Sequence, residues 1–413
     1  MGCLVIPDRL RDAKPLCQHV DDGCVDIVDA LPVFLQLFVH RPLIVSAILS
    51  ALIVGFGGTS KREMLATARR RVQSQPMSAE ILPLRPNSSP SLDAMMALVA
   101  ADMNAVNGVI LSRMQSQIPL IPELAGHLIA GGGKRMRPML TLACARLLDY
   151  SGTRHHLLAA AVEFIHTATL LHDDVVDGSD LRRGRRTANI IWGNPASVLV
   201  GDFLFSRSFE LMVEDGSLKV LKILSNASAV IAEGEVNQLT AQRQVTTSED
   251  KYLDIIGSKT AALFAAACRI AAVVAERPEN VELALDAYGR NLGIAFQLVD
   301  DAIDYVSDAE TMGKGVGDDF RDGKVTLPVI LAYARGDAAQ RQFWHDAMMG
   351  HRISDDDLGH AKTLLEMHGA VADTLERARH YARRAIDSLA MFPAGQAKTA
   401  LVDAAEFAVA RAY

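Results

Sequence analysis

An all-α fold is what the sequence predicts, and three observations predict it. Apolar residues make up 50% of the 413-residue chain but aromatics only 5%, and alanine and leucine dominate the second half. That bias favours helix over sheet. From about residue 91 onward the apolar positions recur at helical spacing: Met95, Leu98, Val99 and Met103 follow i, i+3, i+4, i+8. No stretch alternates convincingly between apolar and polar residues, and no internal repeat is found. The expected architecture is one large helical domain of roughly ten or more helices running to the C-terminus.

The first 76 residues are unlike the rest. Residues 42–60 carry no charge and just reach the roughly 18–20 apolar residues that a membrane span requires, although Gly55, Gly57 and Gly58 interrupt the end of the run. A secretory signal does not fit, because the run lies too deep. A mitochondrial transit peptide does not fit either, because Asp8, Asp12, Asp21, Asp22, Asp26 and Asp29 precede it. Two readings stay open: a membrane anchor, or an upstream extension of the reading frame with the start near Met77. The second is favoured, because the helical pattern begins only after the Pro/Asn/Ser-rich stretch 82–91. The expected boundaries are an atypical extension at 1–76, a linker at 77–92 and the large helical domain at 93–413.

Beyond the linker, 131–138 reads Gly-Gly-Gly-Lys-Arg-Met-Arg-Pro. It is not a phosphate-binding P-loop, since neither Ser nor Thr follows Lys134 and position 128 is Leu. It is either a turn that opens a helix at Pro138 or a glycine loop presenting Lys134 and Arg137 to a phosphate. Val162, Ile165, Thr169 and His172 then keep to one helical face and lead into Asp173-Asp174-x-x-Asp177. Asp173 and Asp177 are i, i+4 neighbours within reach of one ion. Ala266, Ile270, Val273 and Val274 form another apolar stripe. Asp300-Asp301-x-x-Asp304 repeats the aspartate geometry, again among apolar residues.

Like charges at this spacing destabilise a helix unless something neutralises them. A single such cluster would pass for a charged helix end, but two inside apolar stretches would not. Mg²⁺ takes oxygen ligands, usually one or two carboxylates plus substrate phosphates, so two carboxylate faces fit Mg²⁺ held against a diphosphate. Arg182, Arg183, Arg185 and Arg186 follow the first cluster, and Arg182 and Arg183 are the better placed as forked donors to phosphate. The loop 313–324 is glycine-rich and charged. It fails as an EF-hand because Phe320 and Val329 stand where ligands belong, and it reads as a lid over a bound diphosphate. Lys259, Thr260 and Gln297 are weaker signals.

The net charge of -7 leaves no basic footprint, so no nucleic-acid partner is expected. The five cysteines, Cys3, Cys17, Cys24, Cys144 and Cys268, are odd in number and lack C-x-x-C spacing. They read as free buried thiols in a reducing compartment.

From about residue 95 to the end, the chain resembles the trans-isoprenyl diphosphate synthases of the polyprenyl type that makes quinone side chains. The motifs that carry the resemblance stand in family order: G-G-G-K-R-x-R-P, L-L-H-D-D-V-V-D-x-x-x-x-R-R-G, G-D-F-L, G-E-x-x-Q, K-T, F-Q-x-x-D-D-x-x-D and G-K-x-x-G-D-D. The resemblance implies a helical bundle of the isoprenoid synthase type around a central apolar cavity. It implies sequential condensation of isopentenyl diphosphate onto an allylic primer, farnesyl or geranylgeranyl diphosphate, to an octaprenyl or decaprenyl product. Lys134, Arg137 and His166, assisted by Arg183, would bind isopentenyl diphosphate. Asp173, Asp177 and Asp300 would ligate Mg²⁺, about two or three ions per site, with Asp174, Asp301 and Asp304 in support. Arg182, Lys259 and Lys324 would meet the allylic diphosphate, and Lys314 would join them from a loop one residue longer than in short-chain relatives. Thr260 and Gln297 would steady the cationic carbon. Ala168, Thr169 and Ile165, below the first cluster, would set product length, the small Ala168 letting a long chain pass. A homodimer in the cytoplasm is expected, with peripheral membrane contact for product release.

Three other readings compete. A terpene cyclase shares D-D-x-x-D, but Lys134, Arg137 and the second aspartate cluster argue against it. A non-catalytic subunit of a heteromeric synthase tends to lose one cluster, and both are intact. A membrane-anchored scaffold rests on residues 42–60 alone.

Overall fold

The computed structural model describes residues 90–130, 133–182, 184–306, 317–349 and 354–411. The N-terminal extension, most of the linker, Arg183, Lys314 and the three N-terminal cysteines lie outside them. The expected helical architecture is observed. In order run α1 (Asp93–Leu98), α2 (Ala100–Arg113), α3 (Leu120–Ala130), α4 (Met136–Leu147) and α5 (Arg154–Val176). Then come α6 (Ala188–Trp192), α7 (Asn194–Asp215), α8 (Leu218–Ala241), α9 (Glu249–Ile256), α10 (Ala262–Val274) and α11 (Glu279–Val306). The C-terminal part holds α12 (Asp318–Arg321), α13 (Leu327–Arg335), α14 (Ala338–Met349), α15 (Asp355–Met367), α16 (Ala370–Ser388) and α17 (Gln396–Ala410).

The helix starts follow local chemistry. Ser217 and Ser248 accept hydrogen bonds from the backbone N–H of Val220 and Lys251, and Ser354 and Asp357 form a reciprocal capping box. Helix α4 begins at Met136, two residues before the predicted Pro138. Arg135 precedes it in the left-handed region at φ 44°, so the turn is made by Arg135 and the proline lies inside the first turn, where its missing N–H costs nothing.

One small sheet departs from the expectation. Leu181–Arg182 and Arg185–Arg186 pair antiparallel around Gly184, whose φ is 74°. Its four paired residues are three arginines and a leucine, so no alternation of apolar side chains could announce it.

Helix α11 forms the spine. Leu285, Tyr288 and Leu292 on its first half join a core with α2, α4, α5, α7, α8, α10 and α17. Leu298, Ala302 and Ile303 on its second half join another with α9 and α13–α16. Helix α10 and the turn before it lie so close that a Cβ on Gly289 would stand 2.3 Å from the Phe264 carbonyl oxygen, and one on Gly293 2.7 Å from Ala261 Cα. Only glycine allows that approach. Of the apolar stripe expected on α10, Ala266, Ile270 and Val274 are buried. Cys144 and Cys268 are free and buried. Among the described residues one stretch, Glu249–Val274, is long and apolar enough to cross a membrane, and 78% of its most apolar window is buried inside the protein, as in a core helix.

Candidate active site

Both aspartate clusters fall in the last turns of long helices. Asp173 and Asp174 end α5 and Asp177 caps it, while Asp300, Asp301 and Asp304 stand in the last turns of α11. A helix C-terminus already carries partial negative charge, so six carboxylates at two such ends require cations. A single cavity of about 1000 Å³ receives both ends, at the upper limit of ordinary ligand pockets.

The protein supplies part of the cation requirement. Lys259 Nζ lies 3.8 Å from Asp173, Lys324 Nζ 3.0 Å from Asp177, and Arg411 donates to Asp300 at 2.8 Å. Arg182 donates to Asp174 from two nitrogens at 2.8 and 2.6 Å, while the second oxygen of this buried carboxylate has no hydrogen-bond partner. Burial raises the pKa of Asp173, Lys259 opposes the rise and Asp177 adds to it. Burial would lower that of Lys324, but Asp319, Asp177 and Asp322 outweigh it and drive it well above the ordinary lysine value. Asp173, Asp177, Asp300 and Asp304 form a set of hard oxygen donors on one cavity, and that set suits a divalent cation such as Mg²⁺.

Arg137 and His166 meet at a second place on the same cavity wall, which Lys134 also lines. Arg137 and His166 approach at 3.1 Å. The Arg137 guanidinium covers the Phe264 ring at 4.4 Å, and Lys134 Nζ lies 4.2 Å from the Phe407 ring centre. Burial and the neighbouring Arg411 lower the Lys134 pKa, and Asp300 works the other way.

A π-helical turn, Gly257–Ala261, separates α9 from α10 and carries Lys259 and Thr260 to the cavity. Such turns recur at functional sites because the extra residue re-aims side chains. Thr260 Oγ1 donates to Gln297 Oε1 at 2.8 Å, Gln297 Nε2 to Asp301 Oδ1 at 2.7 Å, and Tyr252 OH to Asp301 Oδ2 at 2.5 Å. Burial, with Asp319 beside it, raises the pKa of Asp301, while the hydrogen bonds it accepts from Tyr252 and Gln297 favour its ionised form. Burial and Asp301 hold Tyr252 far above the usual phenol value, so it stays a donor.

Thus every predicted site residue within the described part, apart from two of the chain-length candidates, lines one cavity. Of those candidates Thr169 lines it, its hydroxyl donating to the His166 carbonyl at 2.8 Å. Ala168 and Ile165 are buried in the core behind it. Apolar wall is supplied by Ile110, Met114, Ala125, Leu128, Phe164 and Leu204. The sequence reading gave no role to Glu235, which accepts from Lys259 at 2.8 Å, nor to Tyr252 or Arg411. Glu235 lies in the quoted G-E-x-x-Q motif, a signal that could have marked it. Arg411 is a lone arginine 111 positions from its partner and had none.

Comparisons with known proteins agree with this geometry. The family model for polyprenyl synthetases matches residues 118–365. Octaprenyl diphosphate synthase of Escherichia coli strain K12 is 44% identical over 328 residues, 78% of this chain and 99% of the relative. The crystal structure of a polyprenyl synthase from Caulobacter crescentus CB15, complexed with calcium and isoprenyl diphosphate, aligns with a TM-score of 0.77 at 53% identity, over 79% of this chain and 100% of that one. A decaprenyl diphosphate synthase from Rhodobacter capsulatus aligns at 0.75 and 51%, over 78% of this chain and 100% of that one. With two carboxylate helix ends and a set of cationic side chains around one cavity, and with these matches across the same residues, the chain belongs to the polyprenyl synthetase family and is a prenyltransferase of the long-chain trans-polyprenyl diphosphate synthase type.

Proposed function

We propose that the cavity condenses isopentenyl diphosphate onto farnesyl or geranylgeranyl diphosphate and extends it to an octaprenyl or decaprenyl diphosphate for quinone side chains. The observation that carries this reading is the pair of charged places on one wall. The aspartate-bearing helix ends suit the allylic diphosphate with about two or three Mg²⁺. Lys134, Arg137 and His166 suit the diphosphate of isopentenyl diphosphate. A cyclase has no use for the second place.

Mg²⁺, when bound, supplies Lewis-acid stabilisation of the leaving diphosphate. Lys259, Arg182 and Lys324 place positive charge where that negative charge grows, the step at which fixed electrostatics lowers a barrier most. Lys134, Arg137 and His166 hold the second substrate so that its double bond meets the allylic carbon. Thr260 and Gln297 turn oxygens toward the developing cation. The apolar wall beyond Thr169 keeps water from quenching it and receives the growing chain.

The exposed apolar residues Leu199 and Val213 on α7, and Val236 and Leu239 on α8, support a homodimer. Among the described residues the one stretch apolar enough to cross a membrane, Glu249–Val274, is buried in the core, and the enzyme is proposed to work in the cytoplasm. Contact with a membrane would then serve product release alone.

The test incubates the protein with farnesyl diphosphate, labelled isopentenyl diphosphate and Mg²⁺, then sizes the products. Elongation to octaprenyl or decaprenyl length is expected. No elongation beside an active control overturns the reading, and a labelled cyclic hydrocarbon would favour the cyclase.

A further inference from the structure

Thr260, Gln297, Asp301 and Tyr252 form one directional hydrogen-bond chain from the cavity to the core. The side-chain amide of Gln297 can present either its oxygen or its NH₂ to a neighbour, and only the surrounding network decides which. Here Asp301 Oδ1, an acceptor at 2.7 Å, claims the NH₂. The oxygen is thereby turned to Thr260 and the cavity. Because the Thr260 hydroxyl donates its proton to that oxygen, lone pairs are what Thr260 has left for a ligand. Both groups then present negative charge density where a cation can be steadied. A flipped amide would present positive hydrogens there instead.

Asp301 is 3% exposed, and its other oxygen is fixed by the Tyr252 hydroxyl. Tyr252 stands on α9, 4% exposed, in the core cluster shared with the second half of α11. Its ring is anchored before any ligand arrives. We propose that Tyr252 is a positioning residue which, through Asp301, fixes the amide of Gln297 with its oxygen toward the reacting allylic carbon. The proposal rests on the reading that Thr260 and Gln297 face that carbon.

Tyr252→Phe removes one oxygen and keeps the ring. The first condensation is followed in single turnover, so that product release does not mask the chemistry, and the Kd of an unreactive thio-analogue of the primer is measured alongside. The rate is expected to fall at least about tenfold while the Kd stays within about twofold. In a Gln297→Ala background the same substitution is expected to have almost no effect, a coupling that a merely structural role would not produce. A rate within twofold of the parent, a Kd change matching the rate loss, or an undiminished effect beside Gln297→Ala overturns the proposal. If Tyr252→Phe does not fold, Tyr252→Leu removes the same hydroxyl with a smaller apolar side chain and is held to the same split. A parent enzyme that does not condense refutes the proposed function itself, and a Gln297→Ala variant at full rate refutes the role of Gln297. Both differ from a failure confined to Tyr252.

Discussion

Asp173, Asp177 and Asp300, proposed to ligate metal, are each held by a protein cation, and that arrangement explains how carboxylates can crowd two helix C-termini in a folded chain. Lys324 has the largest share, lying within 3.0, 3.2 and 3.7 Å of Asp177, Asp322 and Asp319. Lys324→Ala should leave three carboxylates facing one another. Expected are a loss of about 2 kcal/mol in urea denaturation and a fall in kcat of about a hundredfold, with stability partly restored by Mg²⁺. Far from the site, His155 gives a separate residue-scale expectation. Burial and the neighbouring His156 hold its imidazole down to about 4, against the ordinary 6.5. Between those values the unfolded chain binds a proton that the folded protein refuses. Stability from this group is therefore whole above pH 6.5 and is lost as pH falls toward 4. His155→Phe should flatten the decline of the urea midpoint over that window, and an unchanged slope would assign the acid sensitivity to other groups.

At the scale of elements, the contact between α10 and α11 decides the site more than any loop does. Gly289 and Gly293 bring the two helices together. That approach sets Phe264 near the Arg137 guanidinium and Thr260 within reach of Gln297. Gly289→Ala should force the helices apart, because the new methyl meets backbone that cannot turn aside. A destabilisation of about 1–3 kcal/mol is expected, together with a rise in KM for isopentenyl diphosphate as Arg137 loses its seat. A variant with lower stability and an unchanged KM would show that the Arg137 site does not depend on this packing.

For the whole molecule, the surface of α7 and α8 carries the expectation. Leu199 is 67% exposed and Val213 66%, an unusual cost for a single chain unless another surface covers them. The paired substitution Leu199→Glu and Val213→Glu should shift the protein from dimer to monomer in sedimentation velocity. Helicity should be unchanged, because neither side chain belongs to the core. A native chain that sediments as a monomer would remove the argument.

The helical class and both aspartate clusters were legible because helical period and i, i+4 spacing are local properties, written within a few consecutive turns. The cationic residues Lys134, Arg137 and Lys324 were legible through their motifs. Less visible was anything that depends on which turn meets which. The arginine-rich hairpin has no alternation to display, and which of the chain-length candidates lines the cavity, Thr169, and which are buried in the core, Ala168 and Ile165, depends on how the helices pack. Arg411 reaches Asp300 only because α17 folds back beside α11, and Tyr252 governs Gln297 only through a carboxylate on another helix. The sequence by itself determined the helices, the metal-suited carboxylates and their chemistry. Tertiary structure alone decided which cation holds each carboxylate, which way the Gln297 amide points and which residues line the cavity, since contacts between distant segments arise from burial and shape and leave no periodic trace along the chain.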